Sequence, residues 1–218
     1  MPETTAPDLW RILRDDARQH HRRGRILLAV DGFDGAGKTR FADGFATVFD
    51  DVPVFRASVD GFHRPRAERY ARGRTSPEGF YLDSYDYAAF RRELIGPFRA
   101  GEPFRTAVWD VTADAPVDVA PQVAGPDAVL LVDGIFLHRP ELRGLWHWSL
   151  WLDVPVDVAF ARLAERDGTD PDHTAASNAR YRQGQELYLR DADPRRAASA
   201  IVDNTDFRHP SRVYRDFC

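Results

Sequence analysis

Residues 25–41, RILLAVDGFDGAGKTRF, constrain the fold more tightly than any other stretch of the chain. The opening RILLAVD is a short continuous apolar run, the pattern of a parallel strand buried on both faces. It runs into Gly32-Phe33-Asp34-Gly35-Ala36-Gly37-Lys38-Thr39, which fits G-x-x-x-x-G-K-[ST], and a helix is expected from Lys38 to about Phe49. The glycines let backbone N–H groups converge on phosphate oxygens without Cβ obstruction, and the helix N-terminus adds a favourable dipole. The stretch GAGKTR ends in Arg40, where a dinucleotide fingerprint would need a third glycine, so a Rossmann site is disfavoured.

The 30 lysines and arginines of this chain include one lysine, Lys38, placed inside that loop. An ammonium on a flexible stem reaches β- and γ-phosphates as a point charge, a task for which the broad planar guanidinium is less suited. Thr39 follows, with a hydroxyl suited to Mg²⁺. Residues Gly32 to Arg40 are therefore the expected nucleotide-binding segment, with ATP and Mg²⁺ as the implied ligands.

The rest of the chain alternates short apolar runs with helical periods. Strand-like runs recur at 52–60, 128–134, 148–154 and 197–204, and helices are expected at 7–23, 155–166 and 172–190, the last with Asp170-Pro171 as its start signal. Such alternation predicts an α/β three-layer fold around a mostly parallel five-stranded sheet. Residues 61–127 break the rhythm with Pro, Gly and aromatics, a helix near 86–98 and a hairpin joining PFRTAVWDV to APVDVAP. They read as an insertion over the carboxyl ends of the strands. One domain over 1–218 is expected, with an N-terminal helix in 1–23, an acceptor-binding insertion in 61–127 and a lid with flanking helices in 155–190.

Bulk properties narrow the function. A formal net charge of −4 with interspersed signs gives no nucleic-acid footprint. Cys218 is the only cysteine, which excludes a disulfide framework and a cysteine-rich metal site. No apolar run is long enough to cross a bilayer and the polar start has no secretory pattern, so a cytoplasmic protein without membrane partners is expected.

In an open parallel sheet, ligands bind outside the carboxyl ends of the strands. Asp60 closes the second apolar run and Asp133 closes AVLLVDG. Phosphoryl transfer needs one carboxylate to orient Mg²⁺ and one to accept the proton of an attacking hydroxyl, and we assign Asp133 to the metal, with Thr39, and Asp60 to the base. Each also precedes a glycine, which is ordinary turn chemistry. Arg162 and Arg166 share a helix face and could balance transition-state charge; Arg180 and Gln183 are weaker candidates.

The stretches VDGFDGAGKT, SVDGFHRP, FYLDSYDYAAF, AVWDVTADAP, LLVDGIFL and ARLAERDG resemble, in order and approximate spacing, the phosphoribulokinase/uridine kinase family of P-loop kinases. The resemblance covers about residues 24–206 and lies nearest the uridine kinase-like branch. It implies a P-loop NTPase fold, ATP with Mg²⁺, and γ-phosphate transfer to the hydroxyl of a small, nucleoside-like acceptor. By the same resemblance Asp60 falls on the catalytic aspartate, His63 lies near the acceptor, Asp83 would hold ribose hydroxyls, and Arg162 and Arg166 lie on the lid helix. Family members are often oligomers, though no interface is legible here.

Two departures stand out. Where uridine kinases place a histidine against the pyrimidine, this chain reads Trp109-Asp110-Val111-Thr112-Ala113-Asp114, so Asp114 inverts the charge preference of that wall. The lid after Arg166 is also short. Phe80, Tyr81, Tyr85, Tyr87 and Trp109 could stack on a base or build the insertion's own core. The alternatives are a related kinase acting on pantothenate or a sugar, and a regulatory ATPase without an acceptor.

Overall fold

The computed structural model describes residues 5–214; Cys218 lies outside the described residues. A six-stranded sheet carries the fold, formed by β1 (Arg25–Gly32), β2 (Val54–Ser58), β3 (Ala128–Gly134), β4 (Trp148–Asp153), β5 (Ala200–Asp203) and β6 (Ser211–Val213) in the order β2-β3-β1-β4-β5-β6. The five expected strands are parallel, and a sixth, β6, is added antiparallel to β5.

Alternation along the strands sorts the core into two layers. On one face Ile26, Leu28, Val30, Val129, Leu131, Trp148 and Leu150 pack against α1 (Ala6–His20) and α2 (Lys38–Ala46). Helix α1 buries Leu9, Leu13 and Ala17, and its Trp10 lies where a side chain on Gly44 would otherwise stand. On the other face Leu27, Ala29, Leu130, Val132 and Trp151 meet the 61–127 segment and the helix Ala179–Ala192. That segment contributes α3 (Pro77–Asp83), followed by one continuous helical stretch assembled from Tyr87–Ala89, a π-helical Phe90–Ile95 and Gly96–Ala100.

The segment expected to form a lid, 155–190, holds α4 (Val156–Asp167) and most of α5 (Ala179–Ala192). The start signal at Asp170-Pro171 does not open α5: residues 170–178 form turns in which Asn178 bonds the carbonyls of Asp170 and Asp172, and the helix begins at Ala179. Gly184 lets α5 approach α3, since a Cβ there would stand 2.6 Å from the ring of Phe80. The expected hairpin is reduced to Trp109–Asp110 against Ala115–Pro116 plus an isolated Phe104–Gln122 bridge. Between the two short strands the chain turns within four residues, with Asp114 in left-handed backbone at φ 52.

Register places the site. Asp31 pairs with Gly134, Val30 with Asp133 and Ser58 with Asp133, so the glycine loop, the turn holding Asp60 and the end of β3 meet at one edge of the sheet.

Candidate active site

Beyond β1 the chain turns through Gly35 (φ 78) and Gly37 (φ 83), a left-handed geometry that disfavours other residues. A Cβ on Gly35 would lie 2.2 Å from the Ala159 carbonyl oxygen, and one on Gly37 would lie 2.4 Å from the Phe207 ring. The loop is thus a close-fitting cradle whose inner face is backbone. Lys38 Nζ donates to the Phe33 carbonyl at 2.7 Å, spanning the loop from its end to its beginning.

The cradle borders a cavity of about 470 Å³ that brings together Asp34, Gly35, Gly37, Lys38, Thr39, Arg40, Asp60, Asp133, Arg162 and Arg166 from the residues the sequence singles out. Thr39 Oγ1 donates to Asp133 Oδ2 at 2.7 Å, while Arg56 Nη2 donates to Asp133 Oδ1 at 2.9 Å. Asp133 is 2% exposed, so its charge is compensated by Arg56 rather than by solvent. Asp60 faces the cavity from the turn after β2, and its Oδ1 accepts the Tyr85 hydroxyl at 2.8 Å. Burial, and then the Asp60 charge, push the Tyr85 phenol well above its ordinary range, so it stays a donor. His63 Nδ1 bonds the Asp60 carbonyl at 2.8 Å, and burial lowers the pKa of its ring.

Other expected residues fall elsewhere. Gly32 and Ala36 are buried beneath the loop, and Phe33 packs edge-on against Trp151. Asp83 accepts from Arg72 Nε at 2.8 Å, and Asp114 accepts from the Arg66 N–H at 2.8 Å with Arg69 at 3.6 Å; both acids lie outside the cavity. Trp109 also does not line it. Phe80, Tyr81 and Tyr85 belong to the core around Phe136, which takes the first two away from a stacking role. Arg180 lies over Tyr70 and Phe80. Arg162 lines the cavity, yet its Nη2 donates to the carbonyls of Asn204 and Thr205 and its guanidinium covers Phe207, 3.7 Å from the centroid. Arg166 is paired with Asp167.

Sequence reasoning missed Arg56, Phe207 and a buried network under the loop. In that network Asp31 accepts from the Gly32 N–H, the Tyr188 hydroxyl and the His138 ring, whose Nε2 lies 2.9 Å from Ser149 Oγ. Each of these contacts except that to Gly32 joins residues distant in sequence, so no local pattern announces them.

A glycine cradle at a strand–helix junction, a Thr–Asp pair beside it and a carboxylate across the cavity define a P-loop nucleotide-binding α/β protein. No protein-family model matches the chain. The chloroplastic uridine/cytidine kinase of Arabidopsis thaliana is 25% identical over 179 residues, 77% of this chain, and the match spans about a third (35%) of that relative's length. The uridine kinase of Aliivibrio fischeri is 22% identical over 190 residues, covering 81% of this chain and 85% of that one. Among solved structures, a protein from Bacillus stearothermophilus described as a possible uridine kinase superposes with TM-score 0.62 at 22% identity, over 87% of this chain and 98% of its own. Over most of its length the chain is similar to these uridine kinases, and it shares the fold of the solved P-loop kinase structure. Among the described residues no helix is long and apolar enough to cross a membrane.

Proposed function

We propose that the protein transfers the γ-phosphate of ATP to a hydroxyl of a small molecule, with a nucleoside such as uridine or cytidine as the leading acceptor. The observation that carries this reading is the single cavity bordered by Lys38, Thr39, Asp133 and Asp60. In it the loop N–H groups and Lys38 bind the phosphates, Asp60 accepts the proton of the attacking hydroxyl, and Tyr85 fixes the orientation of the Asp60 carboxylate. The Thr39–Asp133 pair fits Mg²⁺, a cation that takes few protein ligands and completes its shell with phosphate and water. Bound there, it would neutralise charge on the phosphates. Phe207, stacked by the guanidiniums of Arg162 and Arg40, closes the rim of the cavity beside the loop.

A second reading, a related kinase acting on a non-nucleoside alcohol, is favoured by the arginine pairing of Asp83, the acid expected at a ribose, and by Asp114, which departs from the nucleoside-kinase pattern and is likewise paired with arginine. Incubation with ATP and Mg²⁺ across nucleosides, pantothenate, sugars and sugar phosphates, with mass spectrometry of the products, separates the two. A uridine or cytidine monophosphate peak supports the first reading, a different phosphorylated acceptor supports the second, and ADP without any phosphorylated acceptor removes both.

A further inference from the structure

The carboxylates lining the cavity are not equivalent. Asp133 is held by Thr39 and Arg56, Asp60 accepts from Tyr85, and Glu165 stands in open solvent. Asp34 is different. It occupies the third position of the phosphate cradle and is partly buried, and among the described residues no hydrogen-bond donor reaches its carboxylate. An anion there, within a loop that gathers phosphates, is repelled by the ligand the loop holds unless it faces away or finds a donor of its own.

Its surroundings indicate which way it acts. Desolvation in the cleft pushes the Asp34 carboxyl above the ordinary range, Lys38 offsets part of the rise, and Asp60 adds to it. Asp34 in turn bears on His63 and Tyr85, the insertion-side neighbours of Asp60. It lines the same cavity as Lys38 and Asp60, so it is shared by the phosphate cradle and by the side from which an acceptor hydroxyl must approach Asp60. Asp83, expected to hold that acceptor, and Asp114, expected on the wall beside it, are both engaged by arginines outside the cavity.

We propose that Asp34 is an acceptor-binding residue, accepting a hydrogen bond from a second hydroxyl of a polyhydroxylated acceptor while Asp60 takes the reacting one. The inference rests on the kinase reading above and makes the acceptor class a molecule with neighbouring hydroxyls, such as a ribose or a sugar-like alcohol. Carboxylates suit that task because each oxygen accepts more than one hydrogen bond.

The test uses the full-length protein, uridine, D-fructose and D-glycerate as acceptors, and the variants Asp34→Ala and Asp34→Asn. For whichever acceptor the wild-type protein phosphorylates, Asp34→Ala is expected to raise KM by about tenfold to a hundredfold, the loss of a hydrogen bond to a charged group, and Asp34→Asn by less. Calorimetric binding of ADP with Mg²⁺ is expected not to weaken in either variant, because removing an anion from the cradle relieves repulsion of the phosphates, and retained binding also shows that the loop remains folded. The wild-type protein should discriminate against an acceptor analogue lacking one hydroxyl, and Asp34→Ala should not, an effect that a purely structural residue would not produce. An unchanged KM with wild-type turnover intact overturns this inference alone, as does weakened ADP binding with an unchanged KM. Absence of phosphorylated product from the wild-type protein with every acceptor removes the kinase reading and this inference with it.

Discussion

Replacing Arg56 by methionine tests how the end of β3 is held. The guanidinium donates to Asp133 Oδ1, to the Leu131 carbonyl at 2.8 Å and to Asp43 at 3.1 Å, so it ties β2 to β3 and α2. Methionine retains much of the apolar stem and removes the charge. Breaking a buried ion pair from one side costs about 3–5 kcal/mol, because the remaining charge has no partner. Here the Arg56 side chain keeps 24% of its surface in solvent and Thr39 still donates to the other Asp133 oxygen. A loss of about 2–3 kcal/mol is therefore expected, at or below the lower bound of that range. For a chain of this length that lowers Tm by about 4–12 °C. Urea unfolding at pH 7 with a shared m value measures it. Adding Asp133→Asn should recover about 1–2 kcal/mol relative to additivity, since the isolated charge is then gone. A single variant within about 0.5 kcal/mol of wild type, or strictly additive losses, would refute the view that Arg56 neutralises Asp133.

Two further perturbations probe the loop and the far end of β1. Gly35→Ala forces a side chain into left-handed backbone and against the Ala159 carbonyl, so stability should fall by at least about 1–2 kcal/mol and ADP affinity by more than about tenfold, read by unfolding and calorimetry. The Leu27 N–H donates to His147 Nδ1 at 2.9 Å, which requires an unprotonated ring nitrogen. Burial, followed by His21 and Arg99, lowers the His147 pKa to about 4 from 6.5. The unfolded chain then binds a proton at higher pH than the folded one, so this contribution to stability is present above about 6.5 and is lost as pH falls toward 4. His147→Asn should flatten that dependence in urea unfolding at pH 7 and pH 5; an unchanged slope assigns the titration elsewhere.

Much of the architecture is legible because it is written in local periods. The strands at 25–31 and 128–134 announce themselves as unbroken apolar runs, and both are buried along nearly their whole length. The glycine loop is equally local, since its spacing alone dictates the backbone. The start of α5 was hidden because Asp170-Pro171 carries a helix-start signal while Asn178 ties the following residues into turns. Strand β6 is only three residues long and partly exposed, with too few alternations to signal itself. Arg56 could not be found from spacing, because its bond to Asp133 joins residues 77 apart and the chain offers many other arginines. The same holds for Phe207, which reaches the loop from the turn between β5 and β6, far along the chain.

The central claim is that this cavity transfers a phosphate to an acceptor through Asp60, and single-turnover reaction of wild type and Asp60→Asn with ATP and Mg²⁺ tests it most directly. The acceptor used is the one that the wild-type protein phosphorylates in the panel. The account predicts that Asp60→Asn binds ADP within about threefold of wild type while phosphoryl transfer falls by about 10²–10⁴-fold, the range of a lost general base. Transfer by Asp60→Asn at the wild-type rate would contradict it.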